Sequence, residues 1–143
     1  MDKSADAYCC IYALCAFVLS QTTTIVPTYG LLNEQLGHDS QTGLGELLLL
    51  VDITRARNGH ELLETPTATT VRSFFFTSRC YFHLDGHQTG WVHLRQAITL
   101  AHVVGMDKEE TYQHEDRVEG LHMRSLFWML FLDERYSPCL VVC

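Results

Sequence analysis

Residues 89–105, TGWVHLRQAITLAHVVG, repeat apolar side chains at intervals of three and four: Trp91, Leu94, Ile98, Ala101 and Val104. That spacing lines one face of an α-helix, and Gly105 stands where a left-handed cap ends one. Upstream, Thr65 and Pro66 read as an N-cap and a first-turn proline, and Val71, Phe74, Phe75, Ser78 and Phe82 give a second helix over 66–84, closed by Asp85-Gly86. Downstream, Asp107 to Glu110 has capping-box spacing for one turn. A last helix over 115–136 is acidic at its start, almost wholly apolar from Leu126 to Leu132, and stopped by Pro138. A helix apolar on all sides belongs in the centre of a bundle.

Toward the N-terminus, LGELLLLVDITRAR (44–57) places Leu47, Leu50, Val51 and Ile53 along one side. Arg55 and Arg57 sit in its last turn, before a breaking Asn58-Gly59 pair. Residues 21–42, with three threonines, Pro27, Gly30, Gly37, Asp39 and Ser40, read as the main connection, with a short helix over Leu31–Leu36. Ser4 caps a first helix over 5–20, in which Tyr8, Ile11, Tyr12, Cys15 and Leu19 recur on one side. No strand-period segment bounded by turns is present. The sequence predicts an all-α bundle of about five helices in antiparallel pairs, a single domain over 1–143.

The composition agrees with a folded globular chain: 143 residues, 47% hydrophobic and 10% aromatic. Ten Lys and Arg stand against 17 Asp and Glu, for a net charge of -7, and the basic residues are scattered. The electrostatic footprint that neutralises nucleic-acid phosphates is missing. Thirteen apolar residues from Ala7 to Leu19 fall short of the ~20 a membrane span needs, and the preceding MDKSAD lacks the positive charge of a secretory leader. The six cysteines, at 9, 10, 15, 80, 139 and 143, read as free thiols in a reducing compartment.

Three clusters invite a chemical reading. Cys80, His83 and His87 form C-x2-H-x3-H beside Asp85, but a fourth zinc ligand is not evident, and histidines at a helix C-terminus also complement its dipole. Cys139 and Cys143 have no partner pair upstream. Six carboxylates between Asp107 and Glu119 lack the alternation and glycine of a calcium loop and read as first-turn charges. No nucleophile elbow, zinc-protease helix, phosphate loop or cysteine-nucleophile signature occurs, so no catalytic, cofactor, metal or DNA-binding residue is assigned and the chain is expected not to be an enzyme. The helix pair 66–84 and 89–104 has a tandem-repeat flavour, yet positions 34 residues either side of Trp91, Arg57 and Ser125, show no repeat.

The block from Arg55 to Gln113, followed by EGLHMRSLFWMLFLDERYSPCL, resembles the fungal-specific transcription factor domain, the all-helical regulatory middle region of binuclear zinc-cluster activators, with sugar-utilisation regulators nearest; the helix-one stretch YCCIYALCAFVLSQT resembles the start of that region, so the likeness covers about residues 5–140. The likeness rests on Trp91-x2-Leu94-Arg95-x-Ala97-Ile98-x2-Ala101-x3-Gly105, then Glu109-Glu110-x-Tyr112, then Arg124-x-Leu126-Phe127-Trp128 and Glu134-Arg135. It implies a nuclear regulator of transcription, acting through protein partners, intramolecular contacts or a small effector. It also implies zinc and DNA binding by a separate N-terminal six-cysteine module, of which this sequence has no C-x2-C pair. On the resemblance, the chain is expected to be a piece of a larger helical domain. A self-contained helical-repeat interaction module is the alternative. In either reading Trp91 and Trp128 fill core volume, and Arg95 and Arg124 cap or pair beside them.

Overall fold

The structure, a computed structural model, describes the backbone of residues 3–25 and 33–142 and the side chains of 5–21, 43–60 and 62–136. Every regular element among them is a helix: α1 (Lys3–Ile25), α2 (Asn33–Glu64), α3 (Ala68–His83), α4 (His87–Val104), α5 (Glu109–Gln113) and α6 (Arg117–Val142). The long helices pack in the order α2, α1, α3, α4, α6, each against the next, and α6 also reaches α3.

The α3–α4 pair forms as its sequence predicts. Val71, Phe74 and Phe75 of α3 and Leu94, Ala97, Leu100 and Ala101 of α4 are buried in one cluster with Met106, Met123, Leu126 and Leu130. Trp91, Ile98 and Val104 pack half-buried against it. Gly90 lets the two helices approach closely, since a Cβ there would lie 3.1 Å from the Ser78 carbonyl and 3.2 Å from the Phe82 ring. Gly105 closes α4 with φ 84°, donating to His102 O at 3.0 Å, while Met106 N–H reaches Ala101 O at 2.9 Å. Asp85-Gly86 does end α3, but the positive φ, 58°, falls on Asp85, which tolerates it through its short polar side chain.

Several boundaries differ from expectation. The cap of α3 is Thr67, not Thr65: Thr67 Oγ1 accepts from Thr70 N–H at 3.3 Å and Thr70 Oγ1 accepts from Thr67 N–H at 3.1 Å, a reciprocal box that leaves Pro66 outside the helix. α5 starts after Lys108 with no side-chain cap, so Asp107 does not close the box its spacing suggests. α1 includes Ser4 and runs on to Ile25, and α2 already begins at Asn33 and passes Asn58-Gly59 to Glu64. Much of 21–42 is therefore helix, and residues 26–32 lie outside the described residues. Individual Thr, Asp and Ser residues cost a helix only a few tenths of a kcal/mol each and Gly about 1, which neighbouring turns anchored by Leu44, Leu48 and Val51 outweigh. At Asn58 the amide donates back to Thr54 O at 3.0 Å instead of making a turn. α6 likewise continues through Pro138 to Val142, giving up the bond a proline cannot donate to residue 134.

The faces also differ. α1 turns inward its small residues, Ala5, Cys9, Ala13, Ala16 and Ser20, and exposes Tyr8, Ile11, Leu14, Cys15 and Val18. α2 buries Leu44, Leu48, Val51 and Leu62 and exposes Leu50 and Ile53. α6 is not central: it buries Met123, Leu126 and Leu130 and exposes Leu121, Met129, Leu132 and, at 61%, Trp128. The helix with neighbours on both sides and across is α3.

Gly59 sits inside α2 with open space around the position of a Cβ. Gly59→Ala should therefore stabilise the protein by about 0.5–1 kcal/mol, whereas Leu94→Ala, at a fully buried site, should cost about 2–5 kcal/mol. Urea midpoints of the two variants check both signs.

Candidate functional site

The residues that carry the resemblance converge on the face formed by α4, α5 and α6. Arg95 of α4 pairs with Glu134 of α6 at 2.7 Å, and its guanidinium lies 5.6 Å from the centre of the Trp91 ring. Arg124 of α6 pairs with Glu109 of α5 and lies 4.7 Å over Tyr112, whose hydroxyl donates to Met106 O. Thr111 Oγ1 donates to Gly105 O at 2.8 Å, so the α4 cap and α5 are tied together. Two further pairs bind α6 to α3: Arg72 with Glu119, and Arg79 with Asp133 at 3.3 Å. Burial of the Asp133 carboxyl outweighs Arg79 and raises its pKa. Arg95 and Arg124 thus pair as expected, while Trp128 fills no core volume.

Between α4 and α6 this face holds an open groove of about 180 Å³, walled by Ile98, Ala101, Phe127, Leu130 and Phe131. Its polar groups are His102, with Nδ1 2.8 Å from Ile98 O, and Glu134. Trp128 stands beside it edge-to-face with Phe131, centroids 5.9 Å apart. Walls of this kind take apolar side chains, with few polar groups to fix a ligand's orientation.

A second polar assembly lies where α1, α2, α3 and α4 meet, and the sequence reading missed its centre. Arg55, read as a cation at a helix end, lies mid-helix and turns into the fold. Its guanidinium sits 3.8 Å over the Phe74 ring, and Nη2 donates to Ser73 Oγ at 3.2 Å and Thr77 Oγ1 at 3.1 Å. Nε and Nη1 are buried without a hydrogen-bond partner among the described residues. Burial lowers the Arg55 pKa against the pull of Cys9, Asp52, Tyr81 and Asp6. Asp6 accepts from Thr67 Oγ1 through Oδ2, and its Oδ1 is unpartnered. Nearby, His93 stacks on Tyr81 with centroids 5.2 Å apart and places Nδ1 2.8 Å from Thr89 O. The sequence signal for this assembly is faint: Ser73 and Thr77 interrupt the phenylalanine face of α3 at helical spacing.

The metal-like trio does not assemble. Cys80 is fully buried, its thiol pushed up to about 12 by desolvation, while His83 and His87 are exposed. His87 instead lies 3.8 Å from Asp85 and beside Phe82. Among the described residues no group of three or more His, Cys, Asp or Glu is placed to hold a metal ion, so they do not fit the zinc pair implied by the resemblance. Within the acidic stretch, Glu109 and Glu119 are spent on arginines. The side chains of Cys139 and Cys143 lie outside the described residues. No helix among the described residues is long and apolar enough to cross a membrane.

No family model matches the chain, and no solved structure matches it. Over 82 residues, 57% of the chain, it is 32% identical to a protein named probable sucrose utilization protein SUC1, from Candida albicans. The matched stretch spans only 16% of that relative's length.

Burial holds His93 neutral below its ordinary 6.5. The unfolded chain takes up that proton first as the pH falls, so stability present above pH 6.5 is lost on acidification. The drop in melting temperature between pH 7 and 5.5 should be smaller in His93→Gln than in the parent. In a double-mutant cycle on Arg95 and Glu134, a half-exposed pair, urea unfolding should give a coupling of about 0.2–1 kcal/mol.

Proposed function

We propose that this chain is a regulatory domain of a fungal zinc-cluster type transcription factor, taking part in DNA-templated transcription of sugar-utilisation genes. The observation that carries the reading is the 82-residue similarity to a fungal protein named for sucrose utilisation. The motifs that carry the resemblance to the regulatory region lie on α4, α5 and α6. In this reading the domain works in the nucleus by masking and releasing activation through protein or intramolecular contacts, or through a small effector, and turns over no substrate. Zinc and DNA are handled by a separate module. The α4–α6 groove supports contacts with apolar side chains better than with a sugar, whose hydroxyls would meet few partners there.

A second reading, a helical protein-interaction module acting by itself, is favoured by the exposed outer side of α6 with Leu121, Trp128 and Leu132. In-frame deletion of codons 66–136 from the chromosomal gene, followed by transcript profiling on several sugars, separates the two. The proposal predicts that sugar-responsive transcripts lose their response. An unchanged profile on every sugar tested would contradict it.

A further inference from the structure

We infer that α1 and α2 open from α3 as a unit, at a lower free energy than global unfolding, and that Arg55 is the clamp that sets how often they do so. The apolar core is unevenly shared. Eleven buried residues unite α3, α4 and α6 with the Gly105 turn, and among the described residues that cluster includes none of α1 or α2. The second cluster is Ala16, Leu44, Leu48 and Cys80, with three of its four members on α1 and α2 themselves. Opening the pair leaves Leu44 and Leu48 packed on α1, so most of this cluster travels with it.

The surfaces that separate are cheap to wet. On α1 they are small side chains, Ala5, Cys9, Ala13 and Ala16, each of which buries far less apolar area than a Leu or Phe. On α3 they include Thr70, Ser73 and Thr77, each 1% exposed or less. Ser73 and Thr77 also hydrogen-bond α3's own backbone, Ser73 Oγ to Thr70 O at 2.9 Å and Thr77 Oγ1 to Ser73 O at 2.7 Å, so they keep partners when α1 leaves. The apolar contacts to be lost are Phe17 on Phe76, centroids 5.3 Å apart, and those of Cys80 and Tyr81 with the second cluster. The docked state meanwhile carries buried unpartnered atoms at Arg55 Nε, Arg55 Nη1 and Asp6 Oδ1, whose desolvation is recovered on opening.

α3 survives the departure because it caps itself through the Thr67–Thr70 box, to which Asp6 only adds a further bond. What holds α2 to α3 is then side-chain reach: Arg55 on Ser73, Thr77 and Phe74, and Tyr81 O–H donating to Asp52 at 3.4 Å. A boundary built largely of small and polar side chains gains less from burial than the apolar core, and such structure belongs to the low end of local stability.

Native-state hydrogen exchange of the whole chain, read by mass spectrometry at increasing sub-denaturing urea, tests this. Amides of 5–21 and 43–60 should exchange at least about tenfold faster than those of α3, α4 and residues 120–130, with a shallower urea dependence. Thr77→Val, which removes one acceptor of Arg55, should speed exchange of α1 and α2 alone, and Arg55→Ala should do so more strongly. A common exchange rate in all five long helices overturns the inference without recourse to a variant. Acceleration spread evenly over all helices, or no acceleration in either variant, overturns the clamp.

Discussion

Phe74 is where α2 reaches the main apolar core of this structure. Its ring belongs to the cluster that holds α3, α4 and α6 together, and the Arg55 guanidinium of α2 lies 3.8 Å from its centre. A cation over an aromatic face is worth about 0.5–2 kcal/mol, more when water is excluded. Here it is the means by which a long helix that packs on α1 also engages the apolar core. The arrangement makes α3 two-faced: Val71, Phe74 and Phe75 join the core with α4 and α6, while Ser73 and Thr77 meet Arg55 of α2 and Phe76 meets Phe17 of α1.

How much of this was legible depends on which physical signal each residue gives. The α3–α4 pair has large side chains at helical spacing, a left-handed glycine and an Asp-Gly stop, and those features speak through local chemistry alone. α1 misleads because three members of the visible pattern, Tyr8, Ile11 and Cys15, lie on its exposed side, while Tyr12 is half-buried and Leu19 packs on the second cluster. The buried side is written in Ala5, Cys9, Ala13 and Ala16, which recur at helical spacing but are small, so each carries little apolar weight beside the larger residues of the exposed side. Arg55 misleads for a related reason: a cation before Asn-Gly looks like a helix end, and only the tertiary partners Phe74, Ser73 and Thr77 draw it inward. The all-round apolarity of 126–132 is real, but the described fold covers one side of it.

The division of the fold bears on function. The motif residues behind the resemblance, from Trp91 to Glu134, are knitted into the α4–α5–α6 face by Arg95, Arg124 and Tyr112 and border an apolar groove. That face offers surface and shape for the contact-based role proposed from the similarity to a sucrose utilization protein. In the proposed regulatory role, the polar boundary on the far side of α3 would be the place where one part of the fold parts from another without loss of the core.

The coupling across Phe74 is the most direct measure of this account. In a double-mutant cycle with Arg55→Met and Phe74→Leu, followed by urea unfolding of the full chain, the account predicts an interaction of about 0.5–2 kcal/mol between the two positions. Strict additivity would mean that Arg55 is a bystander over the ring, and that the two halves are joined by something other than this contact.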